Sequence, residues 1–179
     1  MKLLPINNTQ NSNTNFKKLK MNNFAKSYVK TLPEKEVKLI ESWKEKLANT
    51  KFFDILVNGN RTTNTLYTFL FDKNTERLYQ FGHVEIHSHR GNNLKIAIRD
   101  GNRRFCEADY LEMNLKFKSK KRATEAKQKL DYYDVFSSDS LINRIGRAVS
   151  AVQVLEEAKT YENLSTWDKI KVKLGFKKI

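Results

Sequence analysis

Apolar residues at Val37, Ile40, Trp43 and Leu47 recur at three- to four-residue intervals, the spacing of one helix face. Thr31 is placed to cap that helix, Pro33 stands early, and Glu34 follows Thr31 by three positions as in a capping box. Asn49 and Thr50 close it.

The pattern then changes to short apolar runs divided by turn residues. Phe52–Val57 stops at Asn58-Gly59-Asn60, and Leu66–Phe71 stops at Asp72-Lys73-Asn74. Leu78–His87 is long and alternating and ends at Arg90-Gly91-Asn92-Asn93. Leu94–Arg99 alternates and stops at Asp100-Gly101-Asn102, a short segment near Phe105 closes that hairpin, and Leu111–Phe117 alternates again. Short links between successive strands favour antiparallel pairing over βαβ crossovers.

Helical spacing returns after Lys118. Ala123, Ala126 and Leu130 mark a basic helix over 119–133. A helix capped by Ser138 runs through Lys159 with a wide stripe containing Leu141, Ile145, Val149, Val152 and Leu155, wide enough to lie across a sheet. Ser165-x-x-Asp168 opens a short last helix with Trp167, Ile170 and Leu174 on one side.

This order predicts an α+β fold: an antiparallel β-meander of about five strands, with an N-terminal helix and two or three C-terminal helices packed on it. Residues 1–23, rich in Asn, Gln, Ser and Thr and bearing lysines without acids, read as a disordered basic tail. Residues 24–164 read as one domain and 165–179 as a basic amphipathic helix. That helix is too short to stand alone, so its apolar edge must dock on its own domain, a partner or a lipid surface. Trp43 and Trp167 are expected to anchor their helices in apolar contacts.

Composition adds a partner class. The 179 residues hold 34 Lys and Arg against 20 Asp and Glu, a net charge of +14. Residues 1–50 carry +6, 51–117 carry +2 and 118–179 carry +6, so the excess lies on the flanks of the sheet. Three clusters supply it: Lys17, Lys18 and Lys20; Lys116, Lys118, Lys120, Lys121 and Arg122; and Lys169, Lys171, Lys173, Lys177 and Lys178. The middle cluster stands where a strand enters a helix, and free N–H groups there would add to side-chain attraction for phosphate. The expected function is therefore a non-enzymatic nucleic-acid-binding protein, DNA or RNA, that recognises phosphate backbone.

A second reading is a bacterial secreted effector or inhibitor that contacts a protein partner or an anionic membrane surface through the last helix. The expected location is the cytoplasm, or another cell's cytoplasm in that case. No apolar run reaches transmembrane length, and the apolar stretch in MKLLPINN is too short for a signal peptide.

A third reading is a small metal-dependent hydrolase. All three histidines fall in His83-x-Glu85-x-His87-x-His89, where strand alternation would put four side chains on one face. Ligands in a row along one strand do not surround a point, so a metal would need a carboxylate from another element, with Glu107, Asp109 and Glu112 nearest in sequence. No cofactor and no metal are expected. Tyr79 and Phe81 share the His83 face in this register, either buried under a helix or available for base stacking. His87-Ser88-His89 with Tyr132 and Tyr133 only loosely resembles the metal motif and tyrosines of single-strand nicking enzymes. Cys106 is the single cysteine and reads as a small buried hydrophobe. Gly59, Gly91 and Gly101 fall at expected hairpin turns, which leaves no phosphate-binding glycine loop.

Overall fold

A computed structural model of the chain describes residues 18–99, 111–134 and 140–178. In chain order these give β1 (Leu19–Met21), α1 (Asn23–Val29), α2 (Glu34–Lys46), β2 (Phe53–Asn60), β3 (Thr65–Asp72), β4 (Arg77–Gln80), β5 (His83–Arg90), β6 (Asn93–Arg99), β7 (Leu111–Lys116), α3 (Lys120–Asp134), α4 (Leu141–Glu162) and α5 (Thr166–Lys173). The fold is α+β and mostly antiparallel, as the pattern predicts.

The strands form two sheets, β1-β2-β3-β4 and β5-β6-β7. The stretch expected as one strand over Leu78–His87 breaks at Phe81-Gly82. There the Phe81 N–H donates to the Thr68 carbonyl and the Gly82 N–H to the Arg99 carbonyl, so one residue belongs to each sheet. Tyr79 and Phe81 are consequently core residues of the β4 end, both buried, and do not share a strand face with His83. The first hairpin turn lies beyond Gly59: β2 runs to Asn60, which pairs with Thr65. Gly59 is needed for another reason. A Cβ there would stand 2.0 Å from the Phe24 ring, so α1 can lie on β2 only over a glycine. Gly91, with φ +61°, does form the expected tight turn, between the paired residues Arg90 and Asn93.

The tail expected over 1–23 gives way to structure by Leu19. Leu19 is buried, and β1 pairs in parallel with β2, Leu19 opposite Ile55 and Met21 opposite Val57. Asn22 then joins strand to helix. Its Oδ1 accepts from the Ala25 N–H, capping α1, and from the Gly59 N–H, while its Nδ2 donates to the Gly59 carbonyl. Thr31 does not cap α2, which starts after Pro33 with no side-chain cap; its hydroxyl instead donates to the Tyr28 carbonyl. Ser140 caps α4, accepting from the Asn143 N–H; the expected cap Ser138 lies outside the described residues. Phe105, Cys106, Gly101, Glu107 and Asp109 also lie outside them, as do the side chains of Tyr132 and Tyr133.

The core is continuous. α4 carries Ile145, Val149, Val152 and Leu155, all essentially buried, and touches β2 and β3 of one sheet and β7 of the other. Its wide stripe is explained by that double duty. α3 covers β5 and β6 through Ala123, Ala126 and Leu130, and α2 adds Ile40, Trp43 and Leu47. The α2–β2 junction is fixed from α4: the Glu156 carboxylate accepts from the main-chain N–H of Lys51 (2.8 Å), Phe52 (2.6 Å) and Phe53 (2.7 Å).

Candidate docking surface

The histidine strand does not present four side chains together. The β5–β6 register shifts between Ile86 and Ser88, leaving His87 as the extra residue of a β-bulge. Before it, His83 and Glu85 stand opposite Arg99 and Ala97; after it, His89 stands opposite Leu94. Cross-strand partners share a face, and Leu94 is fully buried, so the bulge turns His89 to the inner side. Its Nε2 is shielded from solvent there.

The other three residues join an ion-pair network. His83 Nε2 lies 3.1 Å from Glu85 Oε1, Arg99 Nε 2.8 Å from Glu85 Oε2, and His87 lies 3.7 Å from Glu85 and 3.5 Å from Glu112. Lys95 also reaches Glu112, at 3.5 Å. Burial would raise the Glu85 carboxyl, but the hydrogen bond with His83 and the charges of Arg99, His83 and His87 outweigh it and hold it below the ordinary carboxylate range. Glu112 therefore approaches one histidine rather than two. No group of three or more ligating side chains able to hold a metal occurs among the described residues.

The basic clusters divide into spent and available charge. Lys17 lies outside the described residues. Lys20 pairs with the buried Asp54 at 2.9 Å, and Lys73 reaches the same carboxylate at 2.9 Å. Lys18 is held below its ordinary value first by its hydrogen bond with Lys73 and next by burial. Lys20 thereby ties β1 to β2 through Asp54. Arg122 is likewise committed: its Nε and Nη2 donate to the two oxygens of Glu157 and its Nη1 to Glu125, and the Glu157 contact above all keeps it charged. Lys116, Lys120 and Lys121 are exposed and Lys118 half-buried, and the first turn of α3 carries no acid.

The third cluster surrounds an apolar surface. Ser165 caps α5 as predicted, accepting from the Asp168 N–H. α5 is anchored by Val172, which is buried, and not by the edge the sequence suggested. Trp167 is 65% exposed, Ile170 41% and Leu174 64%, so Trp167 does not anchor its helix. These three share one face at i, i+3 and i+7. Gly175, at φ +83°, ends the helix in a Schellman turn: the Phe176 N–H donates to the Lys171 carbonyl and the Gly175 N–H to the Val172 carbonyl. The chain then turns Phe176 into solvent, 81% exposed. Phe176 adds a fourth exposed apolar side chain just beyond the helix, which the face count ending at Leu174 does not include; the signal for it was glycine one residue past the helix, followed by an aromatic.

Lysines frame this surface. Lys169 donates to the Glu162 carbonyl beside the Tyr161 ring, and Lys171 lies 5.7 Å from the Trp167 ring centre. Lys173 and Lys178 are exposed. Lys177 binds Asp168 at 3.0 Å, which holds that carboxyl below its ordinary range. No described helix is long and apolar enough to cross a membrane. Compared with protein-family models, with curated proteins and with solved structures, the chain finds no match in any of the three.

Proposed function

We propose that the protein is a non-enzymatic surface-docking protein that seats α5 on an anionic lipid bilayer. The carrying observation is the exposed apolar face of Trp167, Ile170, Leu174 and Phe176 with lysines along its border. A helix of this kind lies in the interface plane, its apolar side among acyl chains and its ammonium groups at the headgroups. Each lysine near an anionic surface contributes about 1 kcal/mol, and a buried large apolar side chain about 1.5–3 kcal/mol. Four apolar side chains and a few lysines therefore support reversible, peripheral association. Aliphatic Ile170 and Leu174 at the centre of the face favour acyl chains over nucleobases, which stack on rings.

The test is sedimentation with vesicles, with and without anionic lipid, alongside tryptophan emission. Trp43 is buried and Trp167 exposed, so a blue shift reports on α5. Co-sedimentation and a blue shift are expected with anionic vesicles, weakening as salt rises. Absence of both defeats the proposal.

A second reading, phosphate-backbone binding to nucleic acid, is favoured by the exposed lysines around the acid-free start of α3. It requires oligonucleotide affinity that falls steeply with salt and drops when Lys116, Lys118, Lys120 and Lys121 are neutralised together. Affinity indifferent to either change excludes it.

A further inference from the structure

Beside the docking surface the molecule has a second basic feature, which joins the end of the third cluster to lysines outside all three clusters. A hollow of about 690 Å³ opens between the end of α2, the outer side of α4 and the chain that follows α5. Five lysines line it: Lys46, Lys51, Lys129, Lys177 and Lys178. Lys177 and Lys178 end the third cluster, whereas Lys46, Lys51 and Lys129 lie far from it in sequence and are brought to it only by the fold.

Two carboxylates also line the hollow, Glu156 and Glu157, and both are occupied elsewhere. Glu156 accepts the N–H groups of Lys51, Phe52 and Phe53. Glu157 is held by two N–H groups of Arg122. Arg122 answers the charge of Glu157, Glu156 keeps its charge because its donors are neutral, and Lys177 is paired with Asp168, so Lys46, Lys51, Lys129 and Lys178 face one uncompensated carboxylate. Lys129 donates to a neutral acceptor, Gln153 Oε1. Desolvation by the surrounding walls pushes the Lys129 ammonium below its ordinary value; Glu157 opposes this, while Lys46 and Arg122 add to it. Such mutual repulsion is relieved when an anion enters. Lys177 and Lys178 follow Phe176 directly, so the mouth of the hollow adjoins the apolar surface in the chain.

We propose that this hollow takes a compact, multiply phosphorylated anion, and that its source is the headgroup of a phosphoinositide in the bilayer on which α5 sits. The lipid source rests on the bilayer reading of α5, whereas the anion chemistry stands without it. Insertion of Trp167, Ile170, Leu174 and Phe176 brings the lysine-lined mouth to the headgroup layer. Ammonium groups from several elements then converge on the phosphates, and generic attraction becomes headgroup selectivity.

The experiment uses the full chain and two probes, soluble inositol trisphosphate by calorimetry and vesicles carrying phosphatidylinositol bisphosphate by sedimentation. Phosphatidylserine vesicles of matched charge are the comparison. Two variants separate the readings: Lys46→Gln with Lys129→Gln alters the hollow, and Trp167→Ser, Leu174→Ser, Phe176→Ser alters α5. Soluble trisphosphate is expected to bind wild type and the α5 variant equally, and the hollow variant about tenfold or more weakly. Wild type is expected to prefer bisphosphate vesicles over charge-matched ones, and the hollow variant to lose that preference while still sedimenting with both. Lys51→Gln with Lys178→Gln, both surface changes, repeats the test on other walls. No binding of the trisphosphate to wild type, or equal binding by both hollow variants, overturns the site. Trisphosphate binding with undiminished sedimentation of the α5 variant overturns the bilayer reading of α5, whereas trisphosphate binding with no preference of the wild type for bisphosphate vesicles overturns the lipid source and leaves a site for free phosphate.

Discussion

Replacing Glu156 with alanine tests the join between α4 and the first long strand. The carboxylate accepts three main-chain N–H groups, from Lys51, Phe52 and Phe53, at a separation of 103 to 105 residues in the chain. Hydrogen bonds to a charged group contribute about 1.5–3 kcal/mol each when shielded, and an unsatisfied buried donor costs about 1–3 kcal/mol. The Lys51 contact is exposed, so water replaces it cheaply; the Phe52 and Phe53 contacts are partly buried. Glu156→Ala is therefore expected to cost about 2–4 kcal/mol, which lowers Tm by roughly 5–15 °C in a chain of this size. Glu156→Gln keeps one carbonyl oxygen for Phe52 and Phe53 and turns an amide toward Lys51, so its cost is about 1–2 kcal/mol. Urea unfolding followed by circular dichroism measures both, with an unchanged slope required for a clean comparison. Glu162→Ala on the same helix removes only a long contact to Lys159, at 3.7 Å, and sets the baseline within about 0.5 kcal/mol. An alanine variant at that baseline, or a glutamine variant as unstable as the alanine one, refutes the reasoning.

Removing residues 1–17 is expected to leave Tm unchanged, while removing 1–22 lowers it by several degrees, because Leu19, the Lys20–Asp54 pair and the Asn22 bridge go with the second cut; equal melting of the two truncations refutes this. Glu85 has a folded pKa below its ordinary value of 4.5, so its contribution is complete above that pH and disappears as pH falls through the lowered folded value. The stability gap between wild type and Glu85→Gln should accordingly be constant near neutrality and shrink in acid; a gap that widens in acid contradicts the network.

Local pattern was enough where an element is specified by its own residues. The face of α2, the stripe of α4, the Ser165 cap and the Gly91 turn were legible because period, capping oxygen and positive φ act within a few residues. Face counting also found Trp167, Ile170 and Leu174 as a set, but not what lies opposite them. Periodicity says which residues share a side; whether that side is buried depends on the body it meets, and only Val172 meets it.

Tertiary structure decided the rest through long-range partners. The alternation of His83, Glu85, His87 and His89 was correct for an ideal strand, and a single extra residue at His87 reversed His89, because pairing with β6 sets the register. The break at Phe81-Gly82 has the same origin, in donors shared between Thr68 and Arg99. Charge was legible as a total and as clusters, but its availability was not. Lys20 and Arg122 are neutralised by Asp54 and Glu157, distant in sequence, and the hollow gathers Lys46, Lys129 and Lys178 from separate elements. A sequence fixes how much charge a chain carries; the fold fixes which ammonium groups find carboxylates at contact distance and which are left to meet a partner.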